Sequence, residues 1–305
     1  MSNWIQSVIQ KKRREYDLLR QQQKVPEDAM NGILEYRDIP YHVDRDPAHR
    51  MDLYRPEYRP DPLPVVINVH GGGLIMGRKS FSRPFCAALS RLGFLVCSME
   101  YRLVPDVTVF QQLEDIFNAM DYIDVTIGQY GGEPGSVFMV GDRAGAFLCL
   151  YASAIQRNPQ LAHAVGISPS RLLIDKLALI SGMFYTANLD SIGILLGESF
   201  YGKGYRKAPF FPYLDPGCIE VCNSVAPPLL ITSKKDSLRQ HTMRLSKAME
   251  RYHVPHCLRD FGSNPSLTSG FPVFYPELAQ SRQAVDEIGA FFRGEYDVLL
   301  ENSKF

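Results

Sequence analysis

The reading of the fold turns on ten residues, Ser136-Val137-Phe138-Met139-Val140-Gly141-Asp142-Arg143-Ala144-Gly145. Ser136 to Val140 has the unbroken apolar character of a strand buried on both faces. Two glycines four apart follow at once, and Ala146 to Gln156 is rich in helix formers, so the chain is expected to pass from strand to helix through one tight turn. Arg143 stands at the centre of that turn.

The same alternation extends in both directions. Val65-Val66-Ile67-Asn68-Val69 predicts a second doubly buried strand, and further strands are expected at Phe94 to Glu100, Leu177 to Ile180, Leu229 to Thr232 and His256 to Asp260. Helices are expected at about Arg83 to Leu92, Phe110 to Ile127, Leu238 to Tyr252 and Leu278 to Phe292. Strand, turn and helix in repetition imply an α/β domain whose mostly parallel sheet is covered on both faces. Two strand-like runs, Ile33 to Tyr41 and Arg50 to Tyr54, precede it, joined to it by the Pro-rich connector Arg55 to Pro64.

With 305 residues the chain is long enough for one large domain, here about 31–299. Residues 1–30 form an N-terminal segment with a helix expected at 3–23, carrying Trp4, Ile5, Val8, Ile9, Tyr16, Leu18 and Leu19 among many charges. An insertion at about 184–225 carries Phe184, Tyr185, Phe200, Tyr201, Tyr205, Phe210, Phe211 and Tyr213, and reads as a lid or binding element. A satellite hydrophobic cluster is the alternative. Charge is balanced at 33 basic and 33 acidic residues, which gives no pointer to nucleic acid or a membrane surface and favours a small-molecule partner. The six cysteines are scattered, and Cys218 and Cys222 lack a second pair at ligand spacing, so neither a metal nor a cofactor is expected. A reducing compartment suits them, and the N-terminus, which lacks a long apolar run, is read as cytoplasmic.

His70-Gly71-Gly72-Gly73 follows the strand Val65 to Val69, and glycines there let backbone N–H groups point at a developing oxyanion. With Tyr101-Arg102-Leu103-Val104-Pro105-Asp106, Gln112-Leu113-Glu114-Asp115, Gly141 to Gly145, and Pro227 to Ser233 leading to Asp236, the chain resembles the hormone-sensitive-lipase-type branch of the α/β-hydrolase fold, the acetyl esterase and carboxylesterase group. The resemblance covers about residues 33–295. It implies a helical cap built from the N-terminal segment and the later insertion, and a triad in the order Ser, Asp, His.

Against that pattern Asp236 matches the acid, although it would also suit the cap of a helix starting near Leu238. Arg143 replaces the nucleophilic serine, and Ser269 occupies the place of the histidine. His256, the last histidine, precedes that loop by more than ten residues and reads as a structural side chain; His241 and His253 read as helix-face and loop residues, and His42, His49 and His163 fall outside every motif. A guanidinium has no free electron pair to attack a carbonyl. Since serine and histidine act as one unit, their joint loss predicts a pseudo-hydrolase that binds a small ligand, with an anionic acyl or carboxylate compound as a candidate, or that regulates.

A buried guanidinium needs an acceptor, and Asp236 is expected to supply it. The competing expectation sets Arg143 with the N–H groups of Gly72, Gly73 and Ala144, flanked by Asp142, around the anionic group of a ligand. Other functional readings are a hydrolase of unorthodox mechanism, or a non-catalytic assembly partner that dimerises through the last helix and the strand before it.

Overall fold

The computed structural model of the protein describes residues 3–21, 26–44, 46–60, 62–187 and 191–295. The expected segment 1–30 and domain 31–299 therefore run at their ends beyond the described residues, as do the side chains of Trp4 and Ile5.

Eight strands form one sheet: β1 (Ile33–Pro40), β2 (Arg50–Pro56), β3 (Leu63–Val69), β4 (Leu95–Met99), β5 (Gly132–Asp142), β6 (Lys176–Ile180), β7 (Pro228–Ser233) and β8 (Cys257–Phe261). The helices are α1 (Asn3–Gln21), α2 (Arg83–Arg91), α3 (Val109–Thr126), α4 (Ala144–Arg157), α5 (Pro159–Val165), α6 (Ser191–Tyr201), α7 (Ile219–Cys222), α8 (Arg239–Arg251), α9 (Phe271–Phe274) and α10 (Ala279–Arg293). The spatial order is β1-β2-β4-β3-β5-β6-β7-β8. β1 and β2 join antiparallel, and every pairing from β4 through β8 is parallel.

Both faces of the central strands are buried, as their composition predicts. Val65, Ile67 and Val69 of β3 and Val137 and Met139 of β5 enter one core with α3 and α4. Val66, Phe138 and Val140 enter the other, with Phe85 and Leu89 of α2 and Ile288 and Phe292 of α10. Period-two side-chain alternation thus splits each apolar run between two cores. No described helix is long and apolar enough to cross a membrane.

Two elements differ from expectation. α5 has no counterpart in the sequence reading, although Asn158 accepts the Leu161 N–H at 2.9 Å and Pro159 opens the helix, a start signal carried by two residues. Within 184–225, Phe184, Tyr185, Phe200, Tyr201 and Tyr205 join the main core, and Tyr201 and Phe210 pack on Phe110 of α3 at 6.0 and 4.4 Å between ring centroids. The aromatic character of the insertion is therefore spent on packing it down against α3 and α4.

Candidate functional site

The site is assembled where strand ends meet. Val69 pairs with Gly141 and Ile180 with Asp142, which sets the loop after β3, the turn after β5 and the loop after β6 side by side. The β5–α4 turn is an elbow with Arg143 at its apex, at φ 50° and ψ −107°. Its N–H donates to Ile180 O at 2.8 Å, and its carbonyl accepts from Met183 N at 2.9 Å. The flanking glycines are sterically required: a Cβ on Gly141 would lie 2.4 Å from the Gly145 carbonyl carbon, and one on Gly145 would lie 1.9 Å from Val69 O.

The Arg143 side chain does not reach Asp236. Its Nε donates to Asp142 Oδ2 at 3.2 Å and its Nη2 to the Tyr16 hydroxyl at 2.7 Å, while the guanidinium lies 4.2 Å from the Phe274 ring centroid. The expected Arg143–Asp236 pair is thus replaced by a pair with the neighbouring residue, because the left-handed apex brings side chains 142 and 143 together where an extended strand would splay them. Burial works to lower the pKa of Arg143, but Asp142 and Tyr16 outweigh it and hold it above the ordinary value. Burial raises the Tyr16 hydroxyl against the opposing pull of Arg143.

Asp142 also organises the glycine loop. Its Oδ1 accepts the Gly71 N–H at 2.8 Å, in a space that a Cβ on Gly71 would close at 2.3 Å from Oδ2. Gly72 (φ 139°) and Gly73 (φ 63°) hold the positive φ that points such a loop's N–H groups away from the strand. Among the described residues, the N–H groups of Gly72, Gly73 and Ala144 have no hydrogen-bond acceptor. His70 is buried, stacked on Tyr101 at 4.3 Å; its Nδ1 contacts Gly71 O at 2.9 Å, and its Nε2 lies 3.3 Å from Glu100 Oε1, off the line of a hydrogen bond.

Asp236 and Ser269 form a separate unit. Asp236 Oδ2 accepts from Thr232 Oγ1 at 2.7 Å, and its Oδ1 accepts from Leu238 N at 2.8 Å and from Ser269 Oγ at 2.5 Å. Ser269 Oγ in turn accepts the Ser237 N–H at 3.2 Å. Asp236 therefore caps the turn into α8 and also holds the residue at the position expected for the histidine. His256 is bound to Ser246 Oγ and Val254 O, as a structural side chain.

Residues that sequence reasoning did not assign to the site come from α1 and α9. Ile9, Arg13, Tyr16 and Arg20 follow one helical stripe: Arg13 donates to Ile75 O at 2.6 Å and Val104 O at 2.9 Å, Tyr16 meets Arg143, and Arg20 donates to Phe81 O and lies 4.0 Å from the Phe274 centroid. Burial lowers the pKa of Arg20. Of the apolar residues expected on this helix, Ile9 is buried, whereas Leu18 and Leu19 are 57% and 65% exposed. The available signal was the spacing 9, 13, 16, 20, which is masked in sequence because half of the stripe is arginine. A cavity of about 740 Å³ opens beside the glycine loop, lined in part by Arg13, Asp17, Met76, Gly77, Glu100 and Tyr101.

Comparison with known proteins agrees with this geometry. The BD-FAE family model matches residues 51–178. The chain is 33% identical over 169 residues to the probable isoprenylcysteine alpha-carbonyl methylesterase ICME of Oryza sativa subsp. japonica, covering 55% of this chain and 39% of that protein. It is 25% identical over 255 residues to the probable carboxylic ester hydrolase LipM of Mycobacterium tuberculosis, covering 80% of this chain and 54% of that one. The chain thus spans between about two fifths and one half of the length of these relatives. Among solved structures, esterase B from Lactobacillus rhamnosis superposes with a TM-score of 0.88 at 23% identity, over 100% of this chain and 99% of that one. A bacterial heroin esterase superposes at 0.68 and 23% identity, over 93% and 90%. The sheet order and these superpositions show that the chain has the α/β-hydrolase fold, and its sequence is similar to those of esterases.

Proposed function

We propose that this protein is a pseudo-hydrolase of the esterase fold, one that does not form an acyl-enzyme and acts as a binding or regulatory protein for a small acyl or carboxylate compound. The observation that carries this reading is the content of the two catalytic positions. The elbow apex holds a guanidinium paired with Asp142, and the acid Asp236 is hydrogen-bonded to a serine hydroxyl instead of an imidazole. Neither group abstracts or relays a proton at neutral pH: the guanidinium is always charged, and a serine hydroxyl is no general base. The oxyanion-type N–H groups of Gly72, Gly73 and Ala144 remain beside a fixed cation, which suits an anionic group more than a neutral ester. Tyr16 holds the Arg143 guanidinium through its hydroxyl, so a ligand that pairs with Arg143 would compete with that contact from α1. None of the six cysteines forms a disulfide.

The test is an assay with short-chain nitrophenyl esters on the parent beside the double variant Arg143→Ser with Ser269→His. The parent is expected to show no turnover above background, and the double variant a measurable gain, since Asp236 and the glycine loop are already in place. Robust turnover by the parent would overturn the reading. Thermal-shift measurements with acetate, butyrate and longer carboxylates address the ligand: stabilisation that disappears in Arg143→Gln supports the anionic class, and no stabilisation by any of them counts against it.

A further inference from the structure

We propose that His42, Asp44 and His49 form a binding site for a divalent transition metal of the zinc type on the loop between β1 and β2. Their ligating atoms lie within 4.8 Å of one another. His49 Nδ1 is 2.9 Å from both Oδ1 and Oδ2 of Asp44, and His42 Nδ1 is 3.1 Å from Asp44 Oδ1.

The placement of the donor atoms is what points to a cation. His49 is 3% exposed, and its Nε2 lies 3.1 Å from Asp115 Oδ1. Asp115 is fully buried and fixed by the N–H, Nε and Nη2 of Arg102, so it is a permanent acceptor for the Nε2 proton. With Nε2 directed at Asp115, Nδ1 is the ring atom turned toward the Asp44 carboxylate. His42 repeats the situation: its Nδ1 faces the Asp44 N–H at 3.4 Å as an acceptor, yet sits against the same carboxylate. Two imidazole nitrogens and a carboxylate thus converge on one small volume, a donor set that a bound cation would bridge.

The Asp115–His49 contact is the carboxylate–histidine pairing that orients an imidazole toward a metal. Two imidazole nitrogens and a carboxylate oxygen suit zinc and its neighbours in the first transition row and leave a fourth position for water or an outside donor. His42 and Asp44 are part-exposed, with side chains 36% and 42% accessible, which gives the ion a route in. The metal-free alternative is a His49 imidazolium donating to both Asp44 and Asp115.

Tag-free full-length protein, treated with chelator and then titrated with Co(II) and Zn(II), distinguishes the two. One equivalent of Co(II) is expected to give a visible ligand-field band that Zn(II) abolishes, with Zn(II) uptake confirmed by equilibrium dialysis. His42→Ala and Asp44→Asn are expected to keep the parental circular dichroism and to weaken Zn(II) binding at least about tenfold, the smallest loss typical even of an outer-shell partner. Cys218→Ser with Cys222→Ser is expected to leave binding unchanged. No stoichiometric binding by the parent, or equal binding by both site variants, would overturn the proposal.

Discussion

At the elbow apex a long charged side chain sits on a backbone of φ 50° and ψ −107°, a conformation that costs on the order of 1–3 kcal/mol for a residue with a Cβ. It persists because its neighbours over-determine it: the Arg143 N–H is fixed to Ile180 O, and its carbonyl to Met183 N. The glycines at 141 and 145 are required by close approach, since Gly145 is pressed against Val69 O across the sheet and Gly141 against Gly145 itself. Gly145→Ala therefore forces α4 away from β3 and is expected to destabilise the fold by roughly 3 kcal/mol, in the upper range for overpacking. Urea denaturation measures it; a loss under about 1 kcal/mol would show that the elbow is looser than these contacts imply. This geometry was readable as a turn from the two glycines, but the partner of Arg143 was not. The resemblance pointed to Asp236 as the acid facing the elbow, and it is the turned backbone at the apex that sets the guanidinium against its neighbour Asp142.

Among the elements, α1 is the one whose role the pattern of residues conceals. Its expected apolar set held Ile9 and Tyr16, which meet the domain, and Leu18 and Leu19, which do not; the observed face runs through Ile9, Arg13, Tyr16 and Arg20. Arginine stems bury apolar length while their heads seek carbonyls, so an amphipathic reading that counts arginine as solvent-facing misses half of that face. Tyr16 is the link between this helix and the elbow, because its hydroxyl accepts from the charged Arg143 Nη2 at 2.7 Å. Tyr16→Phe keeps the ring against Phe81 and removes only the acceptor. Hydrogen bonds to charged groups contribute about 1.5–3 kcal/mol, and this one is part-buried, so a loss of about 1.5 kcal/mol in equilibrium urea unfolding is expected. An unchanged midpoint would mean that water replaces the hydroxyl at no cost, and α1 would then be held by its other anchors alone. By contrast β3, β5 and β6 were legible because doubly buried strands need unbroken apolar runs, whereas α5 was missed because its start signal spans only Asn158 and Pro159.

Across the whole molecule, the division into two cores around one sheet implies that stability is unevenly distributed. β3, β5 and β6 have fully buried side chains on both faces, with Val65, Val66, Ile67, Met139, Val140, Leu177 and Leu179 at zero exposure. Among the described side chains of α1, only Ile9 and Arg20 are buried, and the helix is anchored mainly by hydrogen bonds to carbonyls and charges at its edge. Elements with few buried apolar contacts open locally at a free energy below that of global unfolding. Hydrogen exchange on the native protein is therefore expected to show α1 amides exchanging at least roughly a hundredfold faster than those of β3, β5 and β6, a gap of about 2.7 kcal/mol. Tyr16→Phe is expected to accelerate α1 exchange further while leaving the three strands untouched, which separates local opening from a general loss of stability. Protection of α1 equal to that of β5 would mean that the helix leaves only when the domain unfolds. In that case Tyr16 would stay on Arg143 throughout the native state, and a ligand at the elbow would have to bind beside the Tyr16 hydroxyl.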